Sequence, residues 1–256
     1  MARRSGPRGK EVVNVNTTLF VRAHSMRTWL QLIFSVSLLT CILAVGTVLL
    51  IIRQPTKLAA LVGHKEDRSV FVLRTIRFLG EEKFVLVVGD SITEKSDLPE
   101  QICGMHVVNA GIGGARVANF IPLAEEMFSH KTFPAATVVA LGLNDANIKY
   151  WTSSKERQFV AQYLMLLDLL PAGTLLATLT APDFSQTYAR NHYSPAAWSA
   201  INAAIRSVAT DLKTTLIDVS PPNVDAGTTD GIHLNAASKG LWREKIVTAI
   251  QGKIGC

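Results

Sequence analysis

Four short stretches of this 256-residue chain gather residue types that can do chemistry. Phe84 to Thr93 reads FVLVVGDSIT: a mostly apolar, valine-rich run, then a glycine, an acid and a hydroxyl. The apolar run suits a strand buried on both faces of a parallel sheet. Ligands of open α/β sheets gather outside the carboxyl ends of the strands, so position alone makes Ser91 a candidate nucleophile. The competing reading of Gly89-Asp90-Ser91 is a turn followed by a helix N-cap. Asn109 to Gly114, NAGIGG, has the glycine density of a backbone that must approach something closely. It follows the second strand and lacks the GxGxxG spacing, so it is not a dinucleotide fingerprint. Gly142-Leu143-Asn144-Asp145 and Asp230-Gly231-Ile232-His233 complete the set. Taken singly, each has a bland reading: a glycine turn, a turn pair, a structural histidine.

The elements around them form a regular alternation. Strands are predicted at Phe84–Gly89, His106–Asn109, Thr137–Gly142, Thr174–Thr180 and Thr215–Val219, which puts the first three chemical stretches at strand ends and Asp230–His233 in the last loop. Between them, helical spacing of apolar residues predicts helices over Val117–Phe128, Ser153–Leu170, Pro195–Leu212 and about Ala236–Ile250. Ser194-Pro195 reads as an N-cap with proline at the first helical position. The inward face of that helix is predicted as Trp198, Ile201, Ile205, Val208 and Leu212, and that of the last helix as Leu241, Ile246 and Ile250. Strand–helix alternation of this kind argues for a parallel sheet with helices on both faces. The fold expected is α/β: a flavodoxin-like three-layer α/β/α domain with a five-stranded parallel sheet, preceded by a single transmembrane helix.

Together and in this order, GDSIT, NAGIGG, GLND and DGIH make residues 84–250 resemble the SGNH hydrolases, also called the GDSL esterase and lipase family. The resemblance implies that Ser91 is the nucleophile, His233 the general base and Asp230 the group that orients His233. It also implies an oxyanion hole made of the Ser91 and Gly114 backbone N–H groups and the Asn144 side-chain amide. These residue types fit the task. A serine hydroxyl needs an adjacent base, and histidine, titrating near neutrality, can take the proton and return it to the leaving group. A carboxylate three residues before the histidine can reach the imidazole N–H and fix the tautomer. Glycine leaves a backbone donor unobstructed, and asparagine donates without carrying a charge. The chemistry needs no metal and no cofactor.

Other histidines compete for the base role. His106 begins a strand and His130 lies between a helix and a strand. His192 is the stronger rival, in the polar segment Asp183–Ser194 on the predicted active face, but it lacks a carboxylate three residues earlier. With Tyr188, Arg190 and Tyr193 it is read as shaping the substrate cleft. Asp90 is expected to support the turn holding Ser91, and Asp145 and Asn147 to stabilise their loop.

The remainder of the chain sets the context. Residues 1–28 hold six basic residues against Glu11, and form a basic tail expected to be disordered. Residues 84–256 hold 13 basic and 15 acidic residues, so the formal charge of +6 belongs to the amino-terminal part. A nucleic-acid partner is not indicated. Leu30–Ile52 contains no charged residue, and its 23 positions would span roughly 34 Å as a helix, enough for a bilayer core. Arg27, Trp29 and Arg53 flank it as interfacial anchors would. The apolar run exceeds the 7–15 residues typical of a cleaved signal, so residues 29–53 read as an uncleaved signal anchor. Residues 54–83 read as a connector, within which Val70–Leu79 forms an amphipathic helix packed on the sheet or lying on the membrane. The domain of residues 84–256 is expected outside a bacterial-type inner membrane. Cys103 and Cys256 could pair or stay free, and no metal-type cysteine spacing exists.

The function expected is a membrane-anchored serine esterase acting on O-acyl, preferably O-acetyl, esters of envelope carbohydrate. A lipase or lysophospholipase and a glycan O-acyltransferase use the same residues. A non-catalytic glycan- or partner-binding module is the alternative of another class, and the intact set of five matched positions argues against it.

Overall fold

The computed structural model describes residues 67–129, 133–220 and 227–256. They belong to one compact unit, Lys65–Cys256. The basic tail, the predicted anchor Leu30–Ile52 and the first part of the connector lie outside the described residues. Among the described residues, no helix is long and apolar enough to cross a membrane.

The elements run α1 (Arg68–Leu79), β1 (Phe84–Gly89), α2 (Ser91–Glu94), β2 (Gln101–Ile102), β3 (Met105–Gly111), α3 (Val117–Phe128), β4 (Ala136–Ala140), α4 (Glu156–Leu169), β5 (Leu175–Ala177), α5 (Thr187–His192), α6 (Pro195–Asp211), β6 (Leu216–Ile217) and α7 (Ala236–Ile254). Short 3-10 turns cover Leu143–Ala146 and Ser153–Lys155. The sheet has the order β2-β3-β1-β4-β5-β6. Its four pairings from β3 across β1 to β6 are parallel, and β2 pairs with β3 antiparallel at the edge. The parallel strands follow the flavodoxin-like order, with the switch of direction beside β1.

The expected five strands are therefore six. Gln101–Ile102 is a two-residue edge strand turned back through Cys103 and Gly104, both at positive φ. So short a strand carries no period-2 signal to read. Strands β5 and β6 are also shorter than the expected Thr174–Thr180 and Thr215–Val219.

β1 is the centre of the core: all six residues are buried and it pairs on both sides. All four predicted helices begin and end within four residues of expectation. Ser194 caps α6 by accepting from Ala197 N–H, as its Ser-Pro start suggests. Two apolar assignments change. Leu212 is 52% exposed because α6 ends at Asp211. Leu241 is 45% exposed while the adjacent Trp242 is buried, a rotation of the α7 face by one residue. From the segment read as a connector, α1 buries Val72, Ile76 and Leu79 in the same core and contacts β3 and α3. Cys103 and Cys256 form a disulfide, with Cα atoms 6.0 Å apart, that ties the β2–β3 turn to the second residue after α7.

Candidate active site

The nucleophile turn is built by close backbone packing. β1 stops at Gly89, and Asp90 then adopts an extended conformation and caps α2, its Oδ1 accepting from Ile92 N–H at 2.9 Å. Ser91 is thereby the first residue of a one-turn helix at the strand's carboxyl end. No side chain fits at the two flanking glycines. A Cβ on Gly89 would lie 1.9 Å from Thr93 Oγ1, and one on Gly111 would lie 2.2 Å from Glu94 N. Asn109 braces both sides: its Nδ2 donates to Thr93 O at 2.8 Å and its Oδ1 accepts from Gly111 N–H at 2.9 Å. From α1, Arg68 reaches the same place, donating to Asn109 O (2.8 Å) and Gly111 O (3.2 Å). Arg68 had no sequence signal of its own, since its partners are carbonyls some 40 residues away.

The loop carrying Asp230 and His233 is closed by a bridge between Thr228 and Leu234 and by Thr229 N–H donating to His233 O at 2.7 Å. Gly231, at φ +92°, lets the chain reverse, and its carbonyl accepts from Asp183 N–H at 2.8 Å. Asp230 Oδ1 accepts from the backbone N–H groups of Ile232 (3.0 Å) and His233 (2.8 Å). Its Oδ2 lies 2.6 Å from His233 Nδ1. Burial works against the Asp230 charge, but the hydrogen bonds from the His233 ring and from two backbone N–H groups hold its carboxyl below the usual range. An ionised carboxylate only accepts, so His233 Nδ1 carries the proton. His233 Nε2 is then free to accept from Ser91 Oγ–H, 3.0 Å away. Ser91 and His233 are separated by 142 positions in the chain and meet here.

Asn144 lies in the 3-10 turn after β4. Its Nδ2 donates to Ala115 O at 3.0 Å, and its Oδ1 accepts from the Tyr193 hydroxyl at 3.1 Å. These two bonds fix which way the amide faces and leave its second N–H unspent. Gly114, one residue from Ala115, is exposed at φ +75°, with open space where a Cβ would stand. Asp145 Oδ2 accepts from Val117 N–H at 3.1 Å, so the Asn144 turn also holds the start of α3.

The residues read as cleft-lining separate. Tyr193 is 6% exposed and stands behind Asn144, with burial pushing its hydroxyl up to about 12. Arg190 donates to Ser185 O and Thr187 Oγ1, and so stabilises the start of α5. His192 is exposed, stacked on Tyr188 with ring centroids 4.3 Å apart, and its Nδ1 is 2.8 Å from Tyr188 O. Two acids beside the site are displaced upward. Burial raises Asp90 to about 7, and burial raises Asp145 to about 6 against the Val117 hydrogen bond and the Arg116 charge. Among the described residues, no group of three or more His, Cys, Asp or Glu side chains is arranged to hold a metal.

Residues 87–239 match the model of the GDSL-like lipase/acylhydrolase family, and the chain belongs to that family. It is a serine ester hydrolase by class. No curated protein matches the chain. Among solved structures, a lipase/acylhydrolase from Enterococcus faecalis is similar at 18% identity and a TM-score of 0.55, over 67% of this chain and 96% of that one. An acetyl xylan esterase, AlAXEase, is similar at 23% identity and 0.51, over 64% and 98%. A carbohydrate acetylesterase family member from Sinorhizobium meliloti is similar at 18% identity and 0.54, over 68% and 100%. At these identities the likeness is one of fold.

Proposed function

We propose that this protein is a membrane-anchored esterase that hydrolyses short O-acyl esters, O-acetyl above all, on envelope carbohydrate. The observation that carries the reading is the unbroken line Ser91 Oγ, His233 Nε2, His233 Nδ1, Asp230 Oδ2, with the Asn144 amide held beside it. In the first step His233 Nε2 takes the Ser91 proton as Oγ attacks the ester carbonyl carbon. The carbonyl oxygen becomes an oxyanion, met by the free Asn144 N–H and the backbone N–H groups of Ser91 and Gly114. The intermediate collapses to an acyl-enzyme, and the imidazolium protonates the departing sugar oxygen. A water molecule, deprotonated by His233, then attacks the acyl carbon and releases the acid and Ser91. Asp230 stays ionised throughout and stabilises the imidazolium.

The carbohydrate ester is supported by the names of two structural neighbours, an acetyl xylan esterase and a carbohydrate acetylesterase family member. The exposed Tyr188–His192 stack and the polar segment around it offer sugar-facing groups rather than a deep apolar channel. Placement outside the membrane is supported by the uncharged run Leu30–Ile52 and by the Cys103–Cys256 disulfide, which persists in oxidising compartments. The test is turnover of 4-nitrophenyl acetate by the full chain beside Ser91→Ala. A loss of about 10⁴-fold or more in the variant is expected. Equal rates in a folded pair would sink the reading, and a strong preference for long acyl chains would favour a lipase.

A further inference from the structure

Beyond Ser91, His233, Asp230 and the oxyanion donors, one open cleft of about 70 Å³ has no part in the chemistry. It is lined by Arg116, Asp145, Tyr150, Trp151, Lys155 and Gln158, among others. Two of its lining residues, Arg116 and Asp145, stand two positions past Gly114 and one past Asn144 in the chain. Arg116 is half-buried, with its guanidinium carbon 4.2 Å from the centre of the Tyr150 ring. Arg68, Arg77, Arg190 and Arg206 all spend their N–H groups on carbonyls, hydroxyls or carboxylates. Arg116, by contrast, has no side-chain hydrogen bond or ion pair among the described residues. A guanidinium held over an aromatic ring keeps its N–H donors in a planar fork, the geometry that matches a carboxylate or phosphate.

The other groups agree. Lys155 lines the same cleft, and Lys149 Nζ stands 5.5 Å from the centre of the Tyr150 ring. The acid in the lining, Asp145, accepts from Val117 N–H at 3.1 Å, is raised to about 6 by burial, and offsets part of the Arg116 charge. Trp151, also in the lining, supplies an aromatic surface of the kind that packs against the C–H face of a pyranose. The positive charge is local, since residues 84–256 carry a net −2.

We propose that this cleft is a subsite for an anionic substituent, a carboxylate or a phosphate, on the sugar whose ester Ser91 cleaves, with Arg116 as its principal ligand. The inference rests on the esterase reading and names its substrate class: acidic rather than neutral acylated glycan. The test is calorimetric titration of the full chain carrying Ser91→Ala, which reads binding without turnover. The ligands are O-acetylated galacturonate, O-acetylated galactose 6-phosphate and O-acetylated galactose. Binding of at least one anionic sugar about tenfold tighter than the neutral one is expected, a difference of about 1.4 kcal/mol. Arg116→Gln should bring the affinities within about twofold, Arg116→Lys should keep part of the preference, and Lys155→Gln should lower it less. The two anionic arms tell carboxylate from phosphate. Equal affinities in the parent, binding of none of the three, or a preference that survives Arg116→Gln with an unchanged circular dichroism spectrum would overturn the proposal. The native-serine turnover above reads the esterase function separately, so turnover with no anionic preference sinks this inference alone.

Discussion

The two halves of the Ser91–His233–Asp230 line are held by different means. Ser91 is placed by backbone packed against backbone: Gly89 and Gly111 leave no room for a methyl group beside α2. His233 is placed by a surface loop whose hydrogen bonds are nearly all local, with Asp230 accepting three of them. The position of Ser91 is therefore encoded in glycine positions and that of the His233 ring in a single carboxylate.

The sharpest way to break that contrast is Asp230→Asn. It leaves the core intact but removes the acceptor that selects the His233 tautomer, so kcat should fall about 10⁴-fold with little change in melting temperature. Gly111→Ala should do the reverse. Its Cβ would meet the backbone of Glu94, so we expect most of the protein to be lost from the soluble folded fraction, and thermal melting checks this. If Gly111→Ala folded normally with full activity, the packing account of Ser91 would be wrong. Tyr193→Phe removes the hydroxyl that orients Asn144 and should lower kcat by about tenfold, below the 10²–10³ cost of deleting an oxyanion donor outright. KM should stay nearly constant, because the bond acts on the transition state. In an Asn144→Ala background the same change should have no further effect.

The smallest effect concerns pH. Asp90 is raised to about 7 in the folded protein by burial, from an ordinary value of 3.8. A raised acid favours the folded state below pH 4, and that contribution is lost as pH climbs to 7. Asp90→Asn keeps the acceptor for Ile92 N–H and should flatten the fall in melting temperature between pH 4 and 7. An identical pH profile in the variant would mean that Asp90 titrates normally.

Much of this architecture was legible in the residues. The valine run into Gly-Asp-Ser announced β1 and its turn, because a doubly buried strand must be apolar throughout. The spacing of Asp230 and His233 announced a pair that could meet, because three residues suffice for one turn. The edge strand Gln101–Ile102 was not legible, since two residues show no alternation. Nor was the role of Tyr193 behind Asn144, or that of Arg68 at the end of β3: both are contacts made across more than 40 residues, and no local spacing in the sequence points to them. The α7 face was misassigned by one residue because Leu241 and Trp242 are adjacent and both apolar, and only packing chooses between them.

Arg68 also bears on how the protein can be cut. A fragment opened at Phe84, where the sheet starts, would lose the guanidinium that caps the Asn109 and Gly111 carbonyls and would strip Val72, Ile76 and Leu79 from the core. Asp67, which caps α1 by accepting from Ser69 N–H, is the last position at which the domain can begin with its first helix intact. A shorter secreted version or a graft onto another scaffold that respects the sheet and ignores this helix would carry all three residues of the triad on a weakened floor.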